Sequence, residues 1–410
     1  MSASAEVAAI WRIESARIVG GLTRWCGDLD LAEDLAQEAV REALEQWPAS
    51  GRPANPGAWL MTVAKRRGID GFRRRERLDE RHALLAGELR IDRPAQREAD
   101  ELDDDVLRLI FTACHPVLAR EAQVALTLRV VGGLTSEEIA RALLVPTATL
   151  QQRIVRAKKT LGAAAVPFAV PGPEEFRARL GTVLSVLYLV YNEGYAATAG
   201  GDWMRPELAR EALRLARIVA QLLPREPEAH ALVALMELQS SRFAARTAPG
   251  GEPILLADQD RGRWDRAQIG RGLAALARAD GLGRGRGAYG LQAAIAACHA
   301  SAARFEDTDW HRIVLLYEAL GNLAPSPVVD LNRAVAVSMA TGPATALQLV
   351  DELAASGSLR GYHLLPSVRG ELLAQLGRAD EARAAFEEAA RLTGNDRERS
   401  VLLGKAAAQG

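Results

Sequence analysis

Cysteine is scarce. Three residues in 410, Cys26, Cys114 and Cys298, are too few and too scattered for a disulfide framework. They read as reduced thiols of a cytoplasmic protein. The six histidines are as dispersed. Cys114-His115 and Cys298-His299 each lack the second ligand pair that a zinc site needs, so no metal or cofactor is expected. Long hydrophobic runs are missing too. No stretch reaches the roughly 20 apolar residues that span a bilayer, and no N-terminal apolar run resembles a signal peptide. The longest apolar patch, Val183 to Tyr191, is interrupted by Ser185 and fits a buried helix. An excess of either charge is absent: 51 basic residues face 52 acidic ones, so any surface for a polyanion must be local. Strand-like alternation is almost absent, which leaves an all-α fold. No glycine-rich phosphate loop follows a strand, and no nucleophile has a paired base, so no enzyme is expected. Gly281 to Gly290 (GLGRGRGAYG) is glycine-rich but lies between helices. It reads as a loop, with Arg284 and Arg286 as outside candidates for nucleic-acid contact.

The most informative segment is Gly132 to Leu161, GGLTSEEIARALLVPTATLQQRIVRAKKTL. Gly132 and Gly133 break the preceding helix. Thr135 or Ser136 can cap the next one, with Glu138 placed for a capping box. Ile139, Ala140, Leu143 and Leu144 form its apolar face. Val145-Pro146 ends it, because a residue before proline is pushed out of the helical region. Thr147 can cap a second helix with the apolar stripe Leu150, Ile154, Ala157 and Leu161. Its other side offers Gln151, Gln152, Arg153, Arg156, Lys158 and Lys159, without an acid among them. The segment reads as a helix-turn-helix: amides near the start of the second helix read base edges, and the cations hold phosphates.

A second basic segment is Ala58 to Arg77, AWLMTVAKRRGIDGFRRRER. Lys65, Arg66, Arg67, Arg73, Arg74 and Arg75 accompany an apolar stripe that includes Trp59 and Phe72. Both rings read first as core, although either could stack on an unpaired base. Cations this dense repel one another without a polyanion partner. Upstream, Asp28 or Asp30 can cap a helix from Leu31 to Trp47, which Pro48 stops. Asp34, Gln37 and Glu38 form an acidic-polar patch on it, suited to a basic protein surface.

The remaining boundaries follow composition. Residues 1–80 form one helical unit and 81–104 an acidic linker. Residues 105–162 hold the helix-turn-helix, 163–174 a proline-containing linker, and 175–410 a long helical extension. Near its end, VRGELLAQLGRADEARAAFEEAARLTGN matches a tetratricopeptide unit at Gly370, Gly377, Ala382, Phe386 and Ala389. Val328 to Ala354 reads as a degenerate preceding unit, with Ala336 placed 34 residues before Gly370. In ILLADQDRGRWD, Asp258, Asp260 and Asp265 could hold a divalent cation. Arg261 and Arg263 would neutralise them, so helix capping and internal pairing are the expected roles. Asn192 to Tyr195 reads as a turn.

DLAEDLAQEAVREALEQWP followed by PGAWLMTVAKRRGIDGFRRR resembles region 2 of bacterial sigma factors, and GGLTSEEIARALLVPTATLQQRIVRAKKTL resembles region 4. Region 3 is replaced by the acidic linker, as in the extracytoplasmic-function class of the sigma-70 family. FTACHPVLAREAQVALTLRVVGGLT, LLADQDRGRWD and YNEGYAA resemble the subgroup with a C-terminal tetratricopeptide-like helical domain. The resemblance implies a region 2 helical bundle, a region 4 helix-turn-helix and a helical regulatory extension. It implies that Asp34, Gln37 and Glu38 dock on the clamp helices of core RNA polymerase. Lys65, Arg66, Arg67 and Arg73 to Arg75 would melt and read the −10 element of promoter DNA. Gln151, Gln152, Arg153, Arg156, Lys158 and Lys159 would read the −35 element. The acidic linker would thread the polymerase cleft. Asn192, Tyr195, Asp258, Asp260, Arg261, Arg263, Trp264 and Asp265 become candidates for regulatory contact, with a small cytoplasmic protein as the expected regulator and no membrane partner. The glutamines at 151 and 152 depart from other subgroups. A free-standing helix-turn-helix regulator with a helical sensor domain is the competing reading.

Overall fold

Helical periodicity becomes helix almost throughout the computed structural model, which describes residues 3–76, 99–143, 145–196, 203–248 and 252–409. No strand forms among these residues; an isolated bridge joins Thr247 to Pro253. The chain divides into two units, Met1–Leu187 and Tyr188–Gly410. The division falls inside the helix Pro173–Tyr195.

The first unit begins with three helices, Ala3–Cys26, Leu29–Ser50 and Pro56–Glu76. Ile18, Leu22, Ala36, Ala39, Leu60 and Ala64 lose nearly all exposure where these helices meet. Asp28 caps the second helix, accepting from the amides of Asp30 and Leu31. Pro48 does not stop that helix, contrary to expectation. A proline removes one amide but not the turn already built before it. The helix ends at Gly51, whose φ of 79° takes the chain out while its N–H donates to the Trp47 carbonyl.

Ala99–Ala113 follows as a helix packed on the first one. The acidic run expected as linker therefore lies outside the described residues only up to 98, and Asp100 to Asp105 start a helix. Asp105 is fully buried and pairs with Arg24 at 3.1 Å and Arg108 at 2.9 Å. Arg120–Val130, Ser136–Ala142 and Thr147–Ala163 complete the second half of this unit. The chain then enters Pro173–Tyr195, whose Arg179 donates to the Phe111 carbonyl at 2.8 Å and whose Phe176 ring lies 5.6 Å from Phe111. The residues just after the expected start of the extension at 175 thus pack within the first unit.

The second unit is a succession of helices in which each packs on its chain neighbour. Short connections force such neighbours to fold back on one another. Pro227–Ser240 is buried on nearly every side and packs on Pro206–Leu222, Arg266–Gly281 and Ala288–Ser301. The last five helices, from Pro327–Thr341 to Asp396–Ala407, share a core that includes Leu331, Leu347, Leu373, Phe386 and Leu402. The repeat signal at Gly370 has a steric cause, since a Cβ there would lie 2.8 Å from the Phe386 ring. Ala336 does not repeat that contact. It packs with Ile295 and Ile313 from preceding helices, because the position matching Phe386 in its own pair is Glu352.

Candidate nucleic-acid interface

The helix-turn-helix is built from its caps outward. The Thr135 N–H donates to Glu138 Oε2 at 2.9 Å, and the Glu138 N–H donates to Thr135 Oγ1 at 3.1 Å. This reciprocal pair satisfies two amides that the helix leaves open. Gly133 turns the chain at φ 71°, and a Cβ there would sit 2.6 Å from the Ser15 hydroxyl. The second helix starts differently from expectation: Pro146 occupies the cap position without a side-chain bond, and Thr147 is already helical. Proline's extended backbone suffices to start the turn. Leu150, Ile154, Ala157 and Leu161 are buried as their spacing predicts. Gln151, Gln152, Arg156 and Lys159 point to solvent and Arg153 is half-buried. Leu144 lies outside the described residues.

Lys158 departs from the expected open basic face. Its ammonium pairs with Asp30 and with Glu33, both at 2.7 Å, and its side chain is only 10% exposed. Burial pulls its proton affinity down, but Glu33 and Asp30 outweigh this and raise it. Glu33 is itself buried and also pairs with Arg129. Arg12 pairs with Glu138. The helix-turn-helix is therefore docked on the first two helices by an ion cluster beside the Gly133–Ser15 contact. The spacing of Asp30 and Glu33, one turn apart beside Asp34, was the available signal for this docking.

On the docked helix, Asp34 and Glu38 are exposed and Gln37 is half-buried. Partial burial raises the Asp34 carboxyl above its ordinary range, reinforced by Asp30 and opposed by Lys158. On the third helix, Arg66 and Arg67 converge on the buried Glu42. Arg67 Nη2 lies 2.8 Å from Oε2 and Arg66 Nη2 3.2 Å from Oε1. Both guanidiniums stay accessible, at 64% and 49% exposure. Lys65 is half-buried. Arg73, Arg74 and Arg75 lie on the last turns of this helix, with side chains outside the described set. Trp59 meets Trp47 edge-on at 5.4 Å and Phe72 meets Trp25 at 5.9 Å, so both half-buried rings are packed against others.

The Arg67 hydrogen bond holds the Glu42 carboxyl below its usual range; burial opposes this and Arg66 adds to it. A depressed native value means that the stabilisation is present above the unfolded value of about 4.3 and is lost as pH falls through the native one. Glu42→Gln is expected to remove this acid-sensitive component, under about 1 kcal/mol because both arginines face solvent. Urea melts of both proteins between pH 7 and pH 3 check it. Parallel stability–pH curves would contradict it.

Profiles of known families agree with this layout. One described as sigma-70 region 2 matches residues 12–78, and one described as sigma-70 region 4 matches residues 108–161. A family of unknown function, DUF6596, matches residues 179–280. An uncharacterized protein of Rhizobium meliloti is 46% identical over 94% of this chain and 91% of its own length. The ECF RNA polymerase sigma factor SigK of Mycobacterium sp. (strain KMS) is 28% identical over 36% of this chain and 76% of its own. The probable ECF RNA polymerase sigma factor SigI of Mycobacterium tuberculosis is 28% identical over 42% of this chain and 59% of its own. No solved structure matches. The chain belongs to the extracytoplasmic-function sigma factors of the sigma-70 family.

The protein is thus an RNA polymerase sigma factor, a non-enzymatic initiation subunit that binds core polymerase and promoter DNA. None of its described helices is long and apolar enough to cross a membrane. The extension motifs of this sigma factor acquire structural roles. Asn192 and Tyr195 lie in the last turn of a helix, not in a turn of their own. Gly194 between them lets that helix touch another backbone, since a Cβ would fall 2.3 Å from the Ala209 nitrogen. Asp260 caps a short 3-10 turn through the Gly262 N–H, and Asp265 caps the helix Arg266–Gly281 through the Gln268 N–H. Asp258 and Arg263 are exposed, whereas Arg261 and Trp264 are buried. Arg284 pairs with Glu226 and Arg286 with Asp280, so those loop cations are engaged within the extension. Burial pushes the Cys114 thiol up to about 11, which makes it unreactive.

Proposed function

We propose that this sigma factor reads the −35 element with Gln151, Gln152 and Arg153 and holds its phosphates with Arg156 and Lys159, with Lys158 joining once its ion cluster opens. Lys65, Arg66, Arg67 and Arg73 to Arg75 serve the −10 element. Asp34, Gln37 and Glu38 meet the clamp helices of core polymerase. The extension regulates these regions in cis in the cytoplasm, through a contact surface around Asn192, Tyr195 and the Asp258–Asp265 loop that a small protein regulator can engage. The observation that carries the reading is the recognition helix, whose apolar stripe is buried while its amides and two cations face outward.

Promoter profiling tests the division of labour. Gln152→Ala is expected to change which upstream sequences are used, at about 1–3 kcal/mol per base contact. Lys159→Ala is expected to weaken all promoters alike and to lower the salt slope by about one. Identical sequence preference and salt slope in the two variants would refute it. Regulation in cis is tested by run-off transcription with core polymerase. The comparison is between the full chain and residues 1–187, an end point that keeps Phe176 and Arg179 on Phe111. The yield is expected to change several-fold. An equal yield from a folded fragment would show that the extension does not regulate.

A further inference from the structure

The second unit holds a partly open cavity of about 530 Å³, within the range that takes a small organic molecule. Both sequence motifs of the extension reach its wall, through Asn192 and Trp264. Arg242 and His299 stand beside them, and Leu235, Ile295 and Leu320 supply apolar surface. Among the described residues, no Asp or Glu lines it.

The charge around this wall is one-sided. Trp264 has Arg261 over its ring at 4.8 Å and Arg242 at 5.8 Å. Arg246 lies 3.6 Å from the centre of the Tyr195 ring, with Arg242 at 5.8 Å. Arg246 and Arg261 are each only 6% exposed. Their hydrogen bonds go to neutral groups. Arg261 donates to the carbonyls of His299 at 2.7 Å and Ala302 at 2.8 Å, and to the Thr308 hydroxyl at 3.2 Å. Arg246 donates to the Tyr195 carbonyl, and Arg242 to the Tyr195 hydroxyl. Among the described residues, none of the three forms an ion pair with a carboxylate. Buried cations are ordinarily paired, because their desolvation is otherwise uncompensated. Burial, Arg242 and Arg261 together pull His299 down to about 3, so this imidazole is neutral and the positive field belongs to the arginines.

We infer that this cavity binds a small organic anion, its charged group held by Arg242 beside Trp264 and its aromatic or aliphatic body lying against Leu235, Ile295 and Leu320. The arginine cluster supplies a positive field with no carboxylate in ion-pair contact among the described residues, Glu306 and Asp307 acting on Arg261 from a longer distance, and the apolar walls supply the hydrophobic contact. The site deepens the regulatory reading of the extension, since a soluble anion would be a signal arriving at the two motifs. Its test needs no polymerase, so its failure and the failure of regulation in cis are separable.

The probe is 1-anilinonaphthalene-8-sulfonate, titrated into the full chain and read by fluorescence. N-phenyl-1-naphthylamine, which has the same rings without the sulfonate, is the neutral control. Saturable binding of one equivalent of the sulfonate is expected, at least tenfold tighter than the control. Arg242→Met should weaken the sulfonate tenfold or more and leave the neutral probe within twofold, while Arg242→Lys should retain most of the affinity. Ala296→Phe, which adds a ring to the wall near Trp264, should exclude both probes and decides the matter if Arg242→Met fails to fold. Octanoate and octyl phosphate are then competed against the sulfonate, and the better competitor identifies the preferred charged group. Unsaturable binding, binding indifferent to Arg242→Met in a folded protein, binding that survives Ala296→Phe, or displacement by neither competitor would overturn the proposal.

Discussion

Replacing Asp34 and Glu38 together with lysine is expected to weaken binding to core RNA polymerase at least 100-fold. Four residues apart on one helix, the two carboxylates share a face. Both are exposed, with Gln37 half-buried beside them. An exposed acidic patch contributes little to folding, so its reversal leaves the helix and its buried Leu35, Ala36 and Ala39 in place. At an interface the same reversal sets like charges against one another, which costs several kcal/mol. About 3 kcal/mol corresponds to roughly 100-fold. Asp34 also lies within the field of Lys158, so a lysine there would disturb the docked helix-turn-helix. Glu38→Lys alone separates the two effects, because Lys158 pairs with Asp30 and Glu33 and not with Glu38. Titrating labelled sigma factor with core enzyme, followed by anisotropy, measures both variants. A double variant that melts like the wild type and binds core within twofold of it would exclude this face as the contact.

What could be read in the sequence was local. The capping box of Thr135 and Glu138 needs only residues three apart, and it formed as spaced. The stripe of Leu150, Ile154, Ala157 and Leu161 is a property of one helix, and all four are buried. Gly370 was legible because a repeat demands a small residue where two helices touch. Lys158 was not, because periodicity says which face is apolar and not what faces its border. Its partner Asp30 is 128 residues away in sequence. The same holds for the cavity in the extension. Asp260 and Asp265 were legible as caps, whereas Arg242 and Arg246, which flank one short turn, meet Arg261 and His299 from two other segments only in the folded unit. Thr147 and Pro48 show the lesser error of boundaries. A side chain suited to a cap or a stop was present, but the backbone made its turn one to three residues away.

Glu33→Gln is expected to undock the helix-turn-helix from the first helices. Glu33 is 5% exposed and faces two cations, Arg129 and Lys158. Removing one partner of a buried pair leaves the other charge uncompensated, at about 3–5 kcal/mol. The lower end applies here, because Lys158 keeps Asp30 and Arg129 keeps the Leu134 carbonyl. That is enough to open a contact that otherwise depends on Gly133 against Ser15 and on the Arg12–Glu138 pair. On the proposed reading the consequence reaches function, because the cluster engages Lys158, a proposed phosphate contact, on the helix that carries the proposed polymerase face. Opening should therefore accompany promoter recognition. Spin labels at Ile13→Cys and Val155→Cys report it, since these positions are 68% and 49% exposed. Cys26 and Cys298 are replaced by serine, and the buried Cys114 is left in place as an unreactive thiol. The parent protein should give one narrow distance, and Glu33→Gln a broad distribution shifted to longer ones. Glu33→Asp, which keeps the charge on a shorter stem, should fall between them. A narrow distance unchanged in Glu33→Gln would mean that packing at Gly133, and not the ion cluster, holds the two regions together.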